Sequence, residues 1–139
     1  MAIWQFEFYT ADKNKANKDD PDDIILWDDI SAELAENVPF LNKKESWDAS
    51  IVQFGNADET CIEILKENDK VAEISVRIDM RQITEKLLSD IIEYLKRINC
   101  RIYYNENLYE VTLDNLKALM VSSDAYSFCK DPQAFLDNK

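Results

Sequence analysis

The sequence predicts an α+β fold in which helices pack on one face of a mostly antiparallel sheet. Apolar and polar residues alternate over residues 3–9 and again over 73–80, as in strands with one buried face. Residues 83–98 instead carry an apolar stripe at helical spacing. The predicted order of elements is β-α-β-β-β-α-β-α, which a ferredoxin-like arrangement with an added strand would satisfy.

The first strand and the first helix are predicted from local patterns. In residues 3–9, Trp4, Phe6 and Phe8 share one side of the strand. Residues 10–23 lack apolar periodicity and are predicted to form a loop. A helix is expected to follow from about residue 22 to residue 37, before Pro39.

The remaining elements follow from turn and capping signals. Strands are predicted at about 48–54, 60–66 and 71–80, with turns at 55–56 and 67–69. Thr84 is expected to cap the helix over 83–98, and Thr112 or Asp114 to cap another that reaches about Ser122. Shorter strands are expected at 100–104 and 108–111, and short helical turns near the end. Residues 1–139 are read as one domain.

Charge is the strongest feature of the composition. The chain has 28 acidic and 16 basic residues, a net charge of −12. Residues 1–60 hold 14 acidic and 5 basic residues, so most of the excess lies in this half. Such a field repels nucleic acid and anionic lipid and attracts cationic proteins. We therefore expect neither nucleic acid nor a membrane as partner.

Several kinds of active site are excluded by residues that the chain lacks. It has no histidine, so imidazole bases and histidine metal sites are absent. Its single glycine, Gly55, excludes phosphate loops that need several glycines. The three cysteines, Cys61, Cys100 and Cys129, fit no disulfide framework and are expected to be inert, reduced thiols in the cytoplasm. No signal peptide, apolar span, cofactor or metal site is expected.

The segment KDDPDDIILWDD, residues 18–29, is the main candidate for binding a partner. Carboxylates at a helix start have a structural explanation, because they oppose the positive end of the helix dipole. That explanation accounts for Asp22 and Asp23 but not for the other aspartates of the segment. The spacing of the acidic residues also does not match that of an EF-hand calcium loop. We expect an acidic patch with tryptophan anchors that binds a basic protein. The predicted contact residues are Asp19, Asp20, Asp22, Asp23, Trp27, Asp28, Asp29 and Trp47.

A second candidate site lies on the polar side of the predicted sheet. Glu63 and Glu73 are expected to lie near one another there, with Arg77 and Tyr103 on the same side. This arrangement suits a small-ligand or regulatory site. It also leaves open an enzyme that uses carboxylates, with or without a divalent metal.

In size, acidity and element order the chain resembles the small immunity proteins that bacteria use against their own toxins. The stretches SWDASIVQFGN, ISVRIDMRQ and SDAYSFCKDPQAFL are similar to those of small bacterial α+β proteins. The resemblance implies a non-enzymatic inhibitor that covers the basic cleft of a cognate toxin, with a nuclease favoured. No individual functional residue of those proteins can be assigned to a position in this chain.

Overall fold

The computed structural model describes residues 2–14, 25–27, 30–46 and 48–131. Within these residues the chain forms seven strands and four helices. Their order is β1 (Gln5–Asp12), α1 (Ala32–Ala35), β2 (Lys43–Lys44), β3 (Ile51–Phe54), β4 (Cys61–Glu67), β5 (Lys70–Asp79), α2 (Glu85–Arg97), β6 (Cys100–Tyr104), β7 (Asn107–Tyr109), α3 (Leu113–Val121) and α4 (Asp124–Lys130).

The described strands form one sheet with the spatial order β2-β3-β4-β5-β1-β6-β7. Every neighbouring pair is antiparallel. The central strands β4, β5, β1 and β6 have a ferredoxin-like order. The chain passes from β1 to β2 across β5, β4 and β3, and from β5 to β6 across β1. Strands β2 and β3 extend one edge and β7 extends the other. The predicted α+β class, with helices on a mostly antiparallel sheet, is confirmed.

One face of the sheet is buried beneath the helices. Phe6 and Phe8 on β1 lie opposite Ile78 and Val76 on β5, and all four side chains are at most 2% exposed. Buried residues from each helix complete the same core: Ala35, Ile91, Leu95, Leu116 and Ala125. The alternation seen in the sequence therefore separates a core face from a polar face in the folded chain.

Side-chain caps begin α2 and α3 as predicted, and α4 has a cap that was not predicted. Thr84 and Thr112 accept hydrogen bonds from the first turns of α2 and α3, and Ser123 does the same for α4. Tyr94 of α2 is fully buried, and its hydroxyl donates to the carbonyl oxygen of Ala35 at 2.7 Å. This bond satisfies the buried phenol and joins α2 to α1. None of the helices in the described ranges is long and apolar enough to span a membrane.

The helix predicted over residues 22–37 is a single turn in the described part of the chain. Residues 25–27 and 30–31 are not helical, and α1 covers only four residues. The predicted start, at residues 22–24, lies outside the described residues. The prediction of a long helix here is wrong for the residues that can be compared.

Trp27 gives the physical reason for this difference. Its backbone N–H donates to the carbonyl oxygen of Ala72 at 2.7 Å, and its indole Nε1 donates to Thr10 Oγ1 at 3.1 Å. In a helix the same N–H would bond to the carbonyl oxygen four residues earlier. Contacts with the sheet therefore replace the local hydrogen bond that the apolar spacing had suggested.

Tight hairpins join β4 to β5 and β6 to β7. Their central residues have positive φ: 52° and 64° at Asn68 and Asp69, and 51° and 65° at Asn105 and Glu106. Two successive positive φ values indicate type I′ turns, whose twist matches that of paired strands. The turn at 67–69 was predicted from the sequence.

We expect Gly55→Ala to destabilise the protein by at least ~2 kcal/mol. Gly55 has a φ of +84°, and the Cβ of any other residue there would overlap the backbone carbonyl oxygen of Thr60. Both the strained φ and the overlap with backbone oppose alanine. Urea denaturation measures the change in the free energy of unfolding.

Asn68→Ala is the matched control, because residue 68 also has a positive φ and already carries a Cβ in an exposed turn. Its cost should be smaller, about 1 kcal/mol. Equal costs at the two positions would show that the overlap with Thr60 has no effect.

Candidate functional site

The face of the sheet opposite the core carries polar and aromatic side chains. We call it the polar face and define it by residues that alternate with core positions on β1, β4, β5 and β6: Glu7, Tyr9, Glu63, Glu73, Ser75, Arg77 and Tyr103. None of these residues belongs to the apolar core. One row crosses six strands in register, through Gln53, Glu63, Ser75, Tyr9, Tyr103 and Leu108. At about 4.8 Å between strands, this row is about 24 Å long.

Arg77 is the central cation of the polar face. Its Nε donates to Glu7 Oε2 at 2.7 Å, and its Nη1 lies 3.1 Å from Glu63 Oε1. The three side chains are 20% to 25% exposed. Burial opposes the charge of Arg77, but the hydrogen bond that Arg77 donates to Glu7 and the charges of Glu63 and Glu7 outweigh it, so the pKa of Arg77 is raised. The guanidinium thus bridges carboxylates on two different strands.

Glu73 carries a third carboxylate on the same face. Among the described residues no cation forms an ion pair with it. Burial raises the pKa of Glu73, and the negative charges of Glu7, Glu63 and Glu67 raise it further. Arg77 and the three carboxylates together carry two negative charges in excess when all four side chains are ionised.

Two tyrosines lie next to these charges. Tyr9 is directly opposite Ser75 on one side and Tyr103 on the other. Burial raises the pKa of Tyr9, and the charges of Glu7 and Glu73 add to the effect. The phenol of Tyr9 therefore lies within the field of the same carboxylates, beside a second aromatic ring.

The structure brings together the second set of residues predicted from the sequence. Glu63, Glu73, Arg77 and Tyr103 all lie on the polar face, and the predicted proximity of Glu63 to Glu73 and Arg77 is confirmed. The alternation of β1 also indicated that Glu7 faces away from the core. Its pairing with Arg77 could not be predicted, because it joins residues 70 positions apart.

The first set is largely outside the described residues. This holds for Trp47 and for all of the predicted acidic contacts, namely Asp19, Asp20, Asp22, Asp23, Asp28 and Asp29. Trp27 is described, and the structure corrects its predicted role. It is 6% exposed and hydrogen-bonded within the core, so its ring fills the interior instead of offering an anchor to a partner.

A second group of polar residues closes one end of the sheet. The Asp79 carboxylate accepts two hydrogen bonds from the Arg81 guanidinium, each at 2.9 Å. The same guanidinium lies 4.0 Å from the centre of the Trp4 ring, and Trp4 Nε1 donates to the carbonyl oxygen of Asp58 at 2.8 Å. Trp4 is thus half-buried at the surface and outside the core, contrary to its alternation with Phe6. These contacts tie the start of β1 to the β3–β4 turn.

The cysteines are described as free thiols. Burial raises the pKa of Cys61 to about 12 and raises that of Cys100 as well. Cys129 is partly exposed, and burial raises its pKa too. A thiolate is the reactive form of cysteine, so all three positions disfavour nucleophilic chemistry.

The described residues contain no cluster of three or more acidic or cysteine side chains arranged to hold a metal ion. No protein-family model matches the chain, and neither a curated protein nor a solved structure is detectably similar to it. The chemistry of the polar face therefore has to be interpreted from its own residues.

We expect Glu73→Gln to stabilise the protein at pH 7 and to have no such effect at pH 4 and below. The raised pKa means that the folded state binds a proton at Glu73 more tightly than the unfolded state, whose pKa is near 4.5. Protonated Glu73 therefore contributes to stability below pH 4.5, and this contribution is lost as the pH rises through the pKa of the folded state. A glutamine at this position stays uncharged at every pH, so the variant does not lose stability in this way.

Urea denaturation of both proteins at pH 7 and pH 4 measures the effect. Glu93→Gln, an equal change of charge at an exposed position on α2, is the control for net charge. A Glu73→Gln variant that is less stable than the original protein at pH 7 would contradict the assignment of an unmatched carboxylate.

We expect Cys129 to react with a thiol reagent faster than Cys61 and Cys100, and all three to react more slowly than a free thiol at pH 7. Partial exposure explains the order and the raised pKa values explain the slow rates. Mass spectrometry of partly labelled native protein identifies each site. Rapid native labelling of Cys61 or Cys100 would contradict the burial of these thiols.

Proposed function

We propose that this protein is a non-enzymatic binding domain that engages a basic protein through the polar face. Toxin inhibition, with a nuclease favoured, is the specific role that we propose, because the chain resembles bacterial immunity proteins. The observation that supports binding most directly is the charge of the polar face, where Arg77 pairs with two carboxylates and no cation among the described residues pairs with the third, Glu73. A cytoplasmic location would suit the three free thiols.

The dimensions of the polar face suit a macromolecule. Its central row is about 24 Å long, and a typical protein interface buries about 800 Å² of each partner. The side chains along it combine carboxylates with tyrosines, and tyrosine is enriched where proteins bind one another. A sheet face of this kind offers a broad contact area held rigidly by backbone pairing on both sides of β1 and β5.

The acidic segment of residues 18–29 would serve the same partner at longer range. Residues 1–60 carry most of the net charge of −12, and an acidic field raises the rate at which a basic protein approaches. In this proposal the segment accelerates encounter, and the polar face supplies the specific contacts.

Binding of a small ligand is the second candidate function. A groove of about 270 Å³ lies where the end of β5 meets the start of α2, and its lining includes Lys44, Glu59, Gln82 and Leu87. It is slightly smaller than the roughly 300–1,000 Å³ of ordinary ligand pockets. None of its lining residues belongs to the polar face, so the two candidates can be tested with separate variants.

We expect neutralising the polar face to weaken binding of the basic partner by at least about tenfold, because each lost carboxylate removes an opposite charge from the interface. The variant combines Glu7→Gln, Glu63→Gln and Glu73→Gln. The assay first tests the product of each neighbouring gene for toxicity, then co-expresses a toxic product with each variant and scores growth and the Kd of the purified pair.

The matched control combines Glu93→Gln, Glu106→Gln and Asp114→Asn, three exposed positions away from the polar face. Both variants lose three negative charges from the same total of −12, so a difference between them reports contact rather than net charge. Growth protection that is lost in the first variant and kept in the control supports the proposal. Equal protection by both variants would contradict it.

A further inference from the structure

We propose that the polar face receives an arginine side chain of the partner, with its guanidinium paired to Glu73 and stacked on the ring of Tyr9. This inference rests on the proposed function and names the chemical group that the partner supplies. It follows from the charge balance of the face and from the arrangement of side chains around Glu73.

Glu73 is the carboxylate of the polar face for which the described residues supply no ion pair. Arg77 already directs Nε to Glu7 at 2.7 Å and Nη1 to Glu63 at 3.1 Å, so its donors serve the other two carboxylates. Arg101, on the same side of β6, is ion-paired with Glu110, although its Nε, 2.9 Å from Glu110 Oε1, makes no well-aligned hydrogen bond. Among the described residues no cation is ion-paired with Glu73, and a cation supplied by the partner would complement its charge.

The surroundings of Glu73 favour a flat cation. Glu73 lies directly opposite Leu65 on β4 and two residues from Ser75, on the same side of β5. Tyr9 lies opposite Ser75, close enough for the charge of Glu73 to raise the pKa of its phenol. A carboxylate, an apolar neighbour and an aromatic ring thus surround one position.

Arginine fits this combination better than lysine. Guanidinium is planar, pairs with a carboxylate through two parallel N–H donors and stacks on aromatic rings. Lysine presents a compact, strongly hydrated charge that gains less from the rings. Because the row that crosses the polar face continues over six strands for about 24 Å, the arginine is expected to be part of a protein surface that covers the face.

The test uses capped tri-arginine and tri-lysine peptides as probes. Each is titrated into isotope-labelled protein, and the amide chemical shifts of all assigned residues are followed by NMR. We expect both peptides to shift polar-face residues, and tri-arginine to bind about 3- to 10-fold more tightly than tri-lysine. Glu73→Gln should abolish the preference, and Glu93→Gln on α2 should preserve it.

The outcomes separate this inference from the proposed function. If both peptides bind the polar face with equal affinity, the preference for arginine is wrong while a basic partner for this face remains supported. If the shifts map away from the polar face for both peptides, the inference and the polar-face site fail together. A preference for arginine that survives in Glu73→Gln would overturn the assignment to Glu73.

Discussion

Strand β1 is hydrogen-bonded along both edges, to β5 and to β6, and the register of these pairings determines the rest of the structure. The pairing that sets Phe6 against Ile78 in the core also sets Glu7 against Arg77 on the other face. A shift of one residue would exchange the faces of the strand and bury the charges. The apolar core thus fixes the register, and the register in turn assembles the polar face.

The polar face includes a charged group that lowers the stability of the folded chain. An isolated domain would gain from replacing the Glu73 carboxylate, whose raised pKa shows that its charge is disfavoured by burial and by neighbouring acids. Proteins commonly retain such groups where function needs them, at a cost in stability. The Arg77 bridge limits this cost for Glu7 and Glu63, which leaves Glu73 as the group that gains most from an external cation.

Much of the fold could be predicted because its signals are local. Alternation identified β1 and β5, and the apolar stripe with Thr84 as cap identified α2 within about two residues at its start. The helix predicted at residues 22–37 failed where Trp27 bonds to Ala72 and Thr10, because those partners lie on strands distant in sequence. The polar face could be predicted only in part. The side of the strand on which each residue lies follows from the local alternation, but the pairing of distant strands, which brings these residues together, does not.

The pKa of the Glu73 carboxyl group, measured by NMR titration with and without the tri-arginine peptide, tests the central claim most directly. We expect a value above 4.5 in the free protein and a lower value when the peptide is bound, because a guanidinium stabilises the charged form. A free-protein value at or below 4.5, or a pKa that does not change on binding, would contradict the view that Glu73 awaits a cation from a partner.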